Sequence, residues 1–165
     1  MHTILLATVL AAAITGSAMA QSAPPPMKSF ATSAEVTALI AKAKADRKEN
    51  QPLVALPILS LAPYRANLEY RAGNQPPSVH EKDLEMFYVI EGTGTLITGG
   101  MLVDEKRNNP ANLGGSAITG GNSQAIAKGD FFIVPENTAH QIMPTGGAPV
   151  VLMSLHAPRP ASNWP

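Results

Sequence analysis

Helical periodicity is concentrated in one stretch near the N-terminus of the chain. Apolar residues recur there three and four positions apart, with charged residues on the other faces, at Val36, Leu39, Ile40 and Ala43. This spacing is typical of an amphipathic helix. Thr32 precedes the stretch and is followed three residues later by Glu35, the arrangement of a capping box. We predict a helix over residues 32–50, ahead of Pro52, that packs on the outside of the main domain or against a partner subunit.

From Pro52 onward the pattern of apolar and polar positions changes to that of short strands. Residues 64–71 alternate apolar and polar side chains, as in a strand with one face in water. Residues 84–90 are apolar on both faces apart from Glu85. Further strand-like runs, separated by glycine-rich turns, occur at 93–98, 124–127, 131–134, 139–143 and 150–155. Short strands without a second helix favour an antiparallel barrel or sandwich over residues 52–158, followed by a tail at 159–165.

Residues 101–122 interrupt this pattern of short strands. The segment is rich in Asn and Gly and has little periodicity. A segment of this length inside a compact domain is commonly functional, so one interpretation is a lid over the mouth of the barrel. The other interpretation is a surface loop that carries a small hairpin.

The first twenty residues have the pattern of an export signal. Residues 4–14 form an apolar run that is shorter than the ~20 residues a membrane-spanning helix needs. The sequence Ala18-Met19-Ala20 follows, which is the small-x-small pattern of signal peptidase sites. We expect a signal peptide over residues 1–20, cleavage after Ala20, and a periplasmic or secreted protein without a stable membrane anchor. A buried N-terminal helix is the alternative. We interpret the proline-rich residues 21–31 as a flexible leader.

Length and charge restrict the classes of function. The 165 residues suit one domain. Twelve basic and twelve acidic residues give a net charge of zero, so there is no electrostatic signal for nucleic-acid binding. The chain has no cysteine, which excludes disulfides and fits an oxidising compartment, where free thiols are a liability.

Two segments contain candidate chemistry. Glu85 opens an otherwise apolar strand, and if it faces the interior together with Phe87 and Val89, its carboxylate needs a compensating partner such as a metal ion. His80 lies five residues earlier, across a polar turn. An odd spacing on one straight strand would place the two side chains on opposite faces, so the chain must bend between them. His140 follows an apolar strand and a proline turn; taken alone, a histidine in this position is more often a hydrogen-bonded core residue than a ligand.

These two segments resemble the motifs of the cupin superfamily. The first motif of that family ends with His-x-His, three or four residues, Glu, six residues and Gly, and its last three elements are matched here by His80, Glu85 and Gly92. The second motif is matched in spacing by Gly129, Pro135 and His140. The resemblance covers roughly residues 61–156. With the predicted helix, it implies an all-β protein: a cupin-type antiparallel β-barrel, also called a double-stranded β-helix or jelly roll, with one N-terminal α-helix.

Three positions depart from the family's motifs. Ser78 stands where the first histidine of the first motif would be, so one of the usual four protein ligands is missing. Asn137 replaces a turn glycine, which is a mild change because asparagine tolerates positive φ. Pro144 replaces the final asparagine of the second motif.

The resemblance implies that His80, Glu85 and His140 hold one divalent transition metal ion. Two imidazoles and a carboxylate suit Fe(II), Mn(II), Ni(II) or Zn(II), and the sequence does not select among them. The alternative is a cupin without metal, in which the same side chains form a hydrogen-bonded polar cluster. His156 lies outside both motifs, and we expect it to be structural or exposed, with support of the metal ligands as the less favoured alternative.

Three functions of different classes follow from the resemblance. The favoured one is a metal-dependent enzyme of dioxygenase, isomerase or lyase type that acts on a small polar molecule inside the barrel. The others are a non-catalytic periplasmic binder of a small ligand and a metal-free scaffold protein. We expect a small-molecule ligand, no nucleic-acid partner, and a homodimer. The spacing of Arg71 and Glu81 gives no reason to assign either residue to the binding site.

Overall fold

One α-helix and thirteen short β-strands are present in residues 26–159, the part of the chain that the computed structural model describes. The helix, α1, spans Ser33–Asp46. The strands are β1 (Leu53–Leu61), β2 (Tyr64–Arg71), β3 (Ser78–His80), β4 (Asp83–Glu91), β5 (Thr93–Thr98), β6 (Met101–Val103), β7 (Lys106–Asn109), β8 (Asn112–Gly114), β9 (Ala117–Thr119), β10 (Asn122–Ala127), β11 (Phe131–Val134), β12 (His140–Pro144) and β13 (Val150–Pro158). The predicted fold class, all-β with one N-terminal helix, is confirmed.

The strands form two facing sheets and one small ribbon. The first sheet has the order β1-β2-β13-β4-β11, and the second has the order β10-β5-β12-β3-β8-β7. The ribbon pairs β6 with β9. Because β3 belongs to the second sheet and β4 to the first, the chain crosses from one sheet to the other between His80 and Asp83.

The hydrophobic core between the sheets fills only one end of the space that they enclose. Its buried residues come from both sheets and are Phe87, Val89, Leu96, Ile126, Val134, Ile142, Val150 and Leu152. Side chains on β4 alternate between the two faces of the sheet, since Phe87 and Val89 are fully buried while Tyr88 between them is 40% exposed. The inward-facing residue that precedes Phe87 on β4 is Glu85, so the apolar core gives way to polar side chains at that level of the strand.

Helix α1 covers the outer face of the first sheet. Its buried Ala43 packs in a cluster with Val54, Ile58, Leu68 and Val151. The predicted capping box is present, since the Thr32 hydroxyl accepts a hydrogen bond from the Glu35 amide and the Glu35 carboxylate accepts one from the Thr32 amide. The helix is shorter than the predicted range 32–50, because Arg47 already has an extended backbone.

The segment 101–122 is folded into strands. The ribbon β6–β9 forms its base, β7 and β8 form a hairpin beyond it, and β8 pairs with β3 as a continuation of the second sheet. The turn between β7 and β8 is closed by Asn109, whose side chain accepts a hydrogen bond from the Ala111 amide. We call residues 101–122 the excursion.

The N-terminal signal peptide and its cleavage after Ala20 lie outside the described residues. Of the predicted leader, residues 26–31 are described, and Lys28 exchanges two backbone hydrogen bonds with Ser60 at the edge of β1. Within residues 26–159, no helix has the length and apolar character required to cross a membrane.

Candidate metal centre

Four side chains from four strands meet beyond the polar end of the core. Glu85 lies near the start of β4, and His156 lies directly opposite it on β13. His80 ends β3, and His140 begins β12, where it pairs with Ser78. Two of the four side chains therefore belong to each sheet, and they face one another across the space between the sheets.

The crossing between the two sheets explains how His80 and Glu85 meet despite their odd spacing. His80 ends β3 in the second sheet and Asp83 begins β4 in the first, so the turn at 81–82 carries the chain from one sheet to the other. The backbone amide of Asn137 fixes this corner by donating a hydrogen bond of 2.8 Å to the His80 carbonyl. The bend required by the sequence is thus present and is held by the turn that precedes His140.

The carboxylate of Glu85 is the centre of the group. Its Oε2 lies 3.2 Å from Nε2 of His80 and 3.3 Å from Nε2 of His140. Its Oε1 lies 3.0 Å from Nε2 of His156. Glu85 and His140 are each 3% exposed, so the carboxylate has almost no contact with solvent.

Hydrogen bonds on the far side of two rings fix which nitrogen faces the carboxylate. Nδ1 of His80 lies 2.7 Å from Oδ1 of Asn112, and Nδ1 of His140 lies 3.4 Å from the carbonyl oxygen of Thr138. Both partners are acceptors, so each Nδ1 carries a proton and donates it. In the neutral rings, Nε2 then directs a lone pair at Glu85.

Lone pairs that face a buried carboxylate repel it unless a cation lies between them or a ring takes up a second proton. Burial opposes protonation of His80, but the Glu85 carboxylate and the Asn112 amide outweigh burial and raise its pKa. Burial likewise raises the pKa of Glu85, but the imidazoles of His140, His156 and His80 outweigh it and hold that pKa well below its usual range. The group therefore favours an ionised carboxylate with positive charge beside it.

Two buried atoms of the group lack hydrogen-bond partners among the described residues. They are Oε2 of Glu85 and Nδ1 of His156. The Nε2 atoms of His80 and His140 lie close to Oε2 without the geometry of a hydrogen bond, and a shared ion would satisfy all three atoms. One ligand atom from each of His80, Glu85 and His156 lies within 4.8 Å of the others. Imidazole nitrogen and carboxylate oxygen suit a divalent transition metal, so the residues present fit such an ion.

His156 was not assigned to the site by the sequence analysis, and its position is the main difference from the expected arrangement. It is 8% exposed and contacts Glu85. It supplies a third imidazole to a group whose motif has Ser78 in place of a histidine, although it comes from the other sheet. The alternation of β13 contains a signal for it, because Leu152, Ser154 and His156 are spaced two apart and all face inward.

A cavity of about 740 Å³ opens beside these four side chains. The first sheet contributes Glu69 and Arg71 to its wall, and the excursion contributes Asp104, Lys106 and Ser116. The excursion is therefore part of the wall of the site. The volume of the cavity lies within the ~300–1,000 Å³ range of small-molecule sites.

Comparison with known proteins agrees with this arrangement of sheets and site. The sequence profile of the cupin family matches residues 48–162. The chain belongs to the cupin family. No protein with a curated description matches the sequence significantly.

Solved structures share the cupin fold at low sequence identity. A double-stranded β-helix protein from Klebsiella pneumoniae is 18% identical with a TM-score of 0.51, over 70% of this chain and 80% of that chain. The protein TT1209 from Thermus thermophilus is 18% identical with a TM-score of 0.52, over 73% and 95%. The cupin domain of Schizosaccharomyces pombe Cnp3 is 17% identical with a TM-score of 0.51, over 70% and 72%. At these identities the likeness establishes the fold alone.

Of the three departures from the cupin motifs, the two that lie nearest to the site, Asn137 and Ser78, have clear structural consequences. Asn137 has φ 59°, so asparagine adopts the left-handed conformation of the glycine that it replaces. Ser78 places a small hydroxyl 3.5 Å from Nε2 of His140 and lines the cavity. The side of the group where the cupin motif has its first histidine is thus occupied by a shorter side chain.

Proposed function

We propose that this cupin is a metal-dependent enzyme that acts on a small polar molecule in the cavity between its sheets. The ion is Fe, Mn, Ni or Zn in the divalent state, and the reaction is of dioxygenase, isomerase or lyase type. Glu85, His80 and His140 bind the ion, as the cupin motifs imply, and His156 replaces the missing first histidine.

One observation carries this proposal: three imidazole nitrogens lie 3.0–3.3 Å from the oxygens of one buried carboxylate. A metal-free polar cluster would satisfy these atoms with directed hydrogen bonds. Instead, Oε2 of Glu85 has no hydrogen-bond partner among residues 26–159. A cation between the donors removes this cost, since an uncompensated buried carboxylate is very unfavourable.

Each residue then has a defined part in the proposed site. Asn112 orients His80, and the Thr138 carbonyl orients His140, so that both rings present Nε2. Glu85 supplies the negative charge that offsets the cation. A bound metal would act as a Lewis acid on an oxygen atom of the substrate or would activate a bound water. Ser78 leaves space beside His140, on the side of the group that opens into the cavity.

The test begins with metal content, measured by elemental mass spectrometry on protein purified without a chelator or a histidine tag. We expect near-stoichiometric transition metal in the wild type and its loss in His80→Ala, His156→Ala and Glu85→Gln. Glu81→Gln is the matched control, because Glu81 is close in sequence but pairs with Arg107 outside the group. Absence of metal after incubation with all four ions would overturn the proposal.

Catalysis is tested on the loaded protein with a panel of small hydroxy, keto and carboxylic acids and sugars, with and without oxygen, by mass spectrometry of the products. We expect turnover that disappears in Glu85→Gln. A loaded protein that binds members of the panel without converting any of them would favour the non-catalytic ligand-binding function.

Location and assembly are proposed on the sequence alone. We propose that the mature protein starts at Gln21, is periplasmic or secreted, and forms a homodimer. Mass spectrometry of the exported chain checks the first part, and the mass in solution by light scattering checks the last.

A further inference from the structure

The wall of the cavity contains a second polar group, separate from the four residues proposed to hold the metal. Arg71 and Glu69 are both on β2, two residues apart, and both face the interior. They are 8% and 6% exposed. Nε and Nη2 of Arg71 lie 2.8 and 2.6 Å from Oε2 of Glu69, and the hydroxyl of Ser154 donates to Oε1 at 2.7 Å.

A buried ion pair of this kind needs a reason beyond stability. Burying two charges costs several kcal/mol per ion, and apolar residues of similar volume are often at least as stabilising in such a place. The neighbours of Arg71 across the sheet are apolar, Leu53 on one side and Val150 on the other. A leucine at position 71 would therefore suit the sheet, so the guanidinium is better explained by what it offers to the cavity.

The hydrogen bonds of the pair occupy the acceptor oxygens of Glu69 and leave part of the Arg71 guanidinium without a partner among the described residues. Both oxygens of Glu69 are engaged, one by Arg71 and one by Ser154. By contrast, no hydrogen bond within the described part of the chain uses Nη1 of Arg71. An arginine held by a carboxylate on one edge is pre-organised to bind a planar anion with the remaining N–H groups.

The excursion adds a second cation to the same cavity. Lys106 lines it and forms no ion pair with any residue in 26–159, whereas the adjacent Arg107 is paired with Glu81. The nearby acidic residue on the wall, Asp104, accepts a hydrogen bond of 2.6 Å from Ser116. Arg71 on the first sheet and Lys106 on the excursion thus each bring to the wall of the cavity a cationic group with donors that no described residue occupies.

We propose that Arg71, supported by Lys106, binds a carboxylate group of the ligand, so that the molecule which occupies this cavity is a small organic acid. The inference deepens the proposed function by naming the ligand's chemical class, and its Arg71 subsite does not itself require the metal. Arg71 determines specificity, and Glu69 and Ser154 position it.

The test measures binding by isothermal titration calorimetry with acetate, malonate and succinate, and with malonamide and succinamide as uncharged analogues. It uses the full chain in chelator-treated and metal-loaded forms. Arg71→Lys keeps the charge beside Glu69 and removes the planar fork, and the double variant Glu69→Gln/Arg71→Gln removes both charges together. Lys106→Ala is compared with Lys128→Ala, an exposed lysine that does not line the cavity.

We expect at least one of the carboxylates to bind about tenfold or more tightly than the amides, as expected for hydrogen bonds to a charged group. Affinity for that acid should fall about tenfold or more in both Arg71 variants and to a smaller extent in Lys106→Ala. Lys128→Ala should match the wild type. Circular dichroism establishes that each variant is folded.

The outcomes separate this inference from the proposed function. Dependence of carboxylate binding on Arg71 in a protein that takes up no metal would support the inference while the enzyme proposal fails. Carboxylate binding that needs the metal and is unchanged in the Arg71 variants would overturn the inference and leave the metal proposal intact. Equal affinity for acids and amides, or no binding of any acid, would also overturn it.

Discussion

Replacing Asn112 with alanine should weaken metal binding by about ten- to a hundredfold without unfolding the protein. Asn112 is directly opposite His80 in the ladder between β3 and β8, and its Oδ1 accepts a hydrogen bond of 2.7 Å from Nδ1 of the imidazole. That bond holds the proton on Nδ1 and directs Nε2 towards Glu85. Without it, the ring can rotate or change tautomer, and either change removes Nε2 from the position in which it would bind the proposed ion.

The size of the effect follows from the strength of this contact. A net hydrogen bond is worth about 0.5–1.5 kcal/mol to stability, which a folded domain tolerates. A ten- to hundredfold loss of affinity corresponds to about 1.4–2.7 kcal/mol, more than the hydrogen bond alone, because the ring is also less well oriented. The variant should thus lose metal affinity before it loses structure.

The assay is competition for the metal with a chromophoric chelator, on wild type, Asn112→Ala and Asn112→Asp. Aspartate keeps an acceptor for Nδ1, so Asn112→Asp should bind the ion at least as well as the wild type. In a His80→Ala background, Asn112→Ala should have no further effect, because its partner is gone. Equal loss in the alanine and aspartate variants, or additive loss in the double variant, would refute the reasoning.

Further predictions address the core, the helix, the turn before His140 and the metal itself. Phe87→Ala should cost about 3–5 kcal/mol in urea unfolding, since Phe87 is fully buried and stacks on Phe132. Hydrogen bonds from Lys28 and Thr32 lower the pKa of Glu35 to about 2. The ionised Glu35 therefore stabilises the fold above pH 4.5, and this stabilisation is lost as the pH falls towards 2. The Tm values of the wild type and Glu35→Gln should thus differ at neutral pH and become equal near pH 2. Asn137→Ala should cost about 1 kcal/mol because φ is positive, and Asn137→Gly should cost less. Metal at a hundred times its Kd should add about 2.7 kcal/mol to stability, seen as a rise in Tm that Glu85→Gln abolishes.

Much of the fold was predictable because its signals are local. The alternation on β2 and β4, the capping box at Thr32 and Glu35, and the glycine-rich turns each depend on residues close in sequence. The period of the strand places Glu85 on the same face as Phe87 and Val89, and the burial of those two side chains in the structure shows that this face is the inner one. Of the strands in the excursion, only a small hairpin was among the two interpretations of the sequence, since β6 to β9 are three or four residues long and too short to show a period.

The position of His156 was not predicted, for a different physical reason. The motifs place His80, Glu85 and His140, but the contact between His156 and Glu85 depends on the register between β13 and β4. Register is a long-range property that a single sequence does not display. The same holds for Arg71, whose approach to the cavity depends on how β2 is placed beside β13.

The replacement of one histidine changes how the proposed site is supported. In the motif, both histidines of the His-x-His pair belong to β3, so the second sheet would supply three imidazoles and the first sheet only Glu85. With Ser78 on β3 and His156 on β13, each sheet supplies two of the four side chains. The wall beside Ser78 is correspondingly more open, and it belongs to the same cavity as Arg71. A ligand that enters this cavity would therefore meet Arg71 on the first sheet, the residue proposed to bind a carboxylate, and the space beside Ser78 on the second.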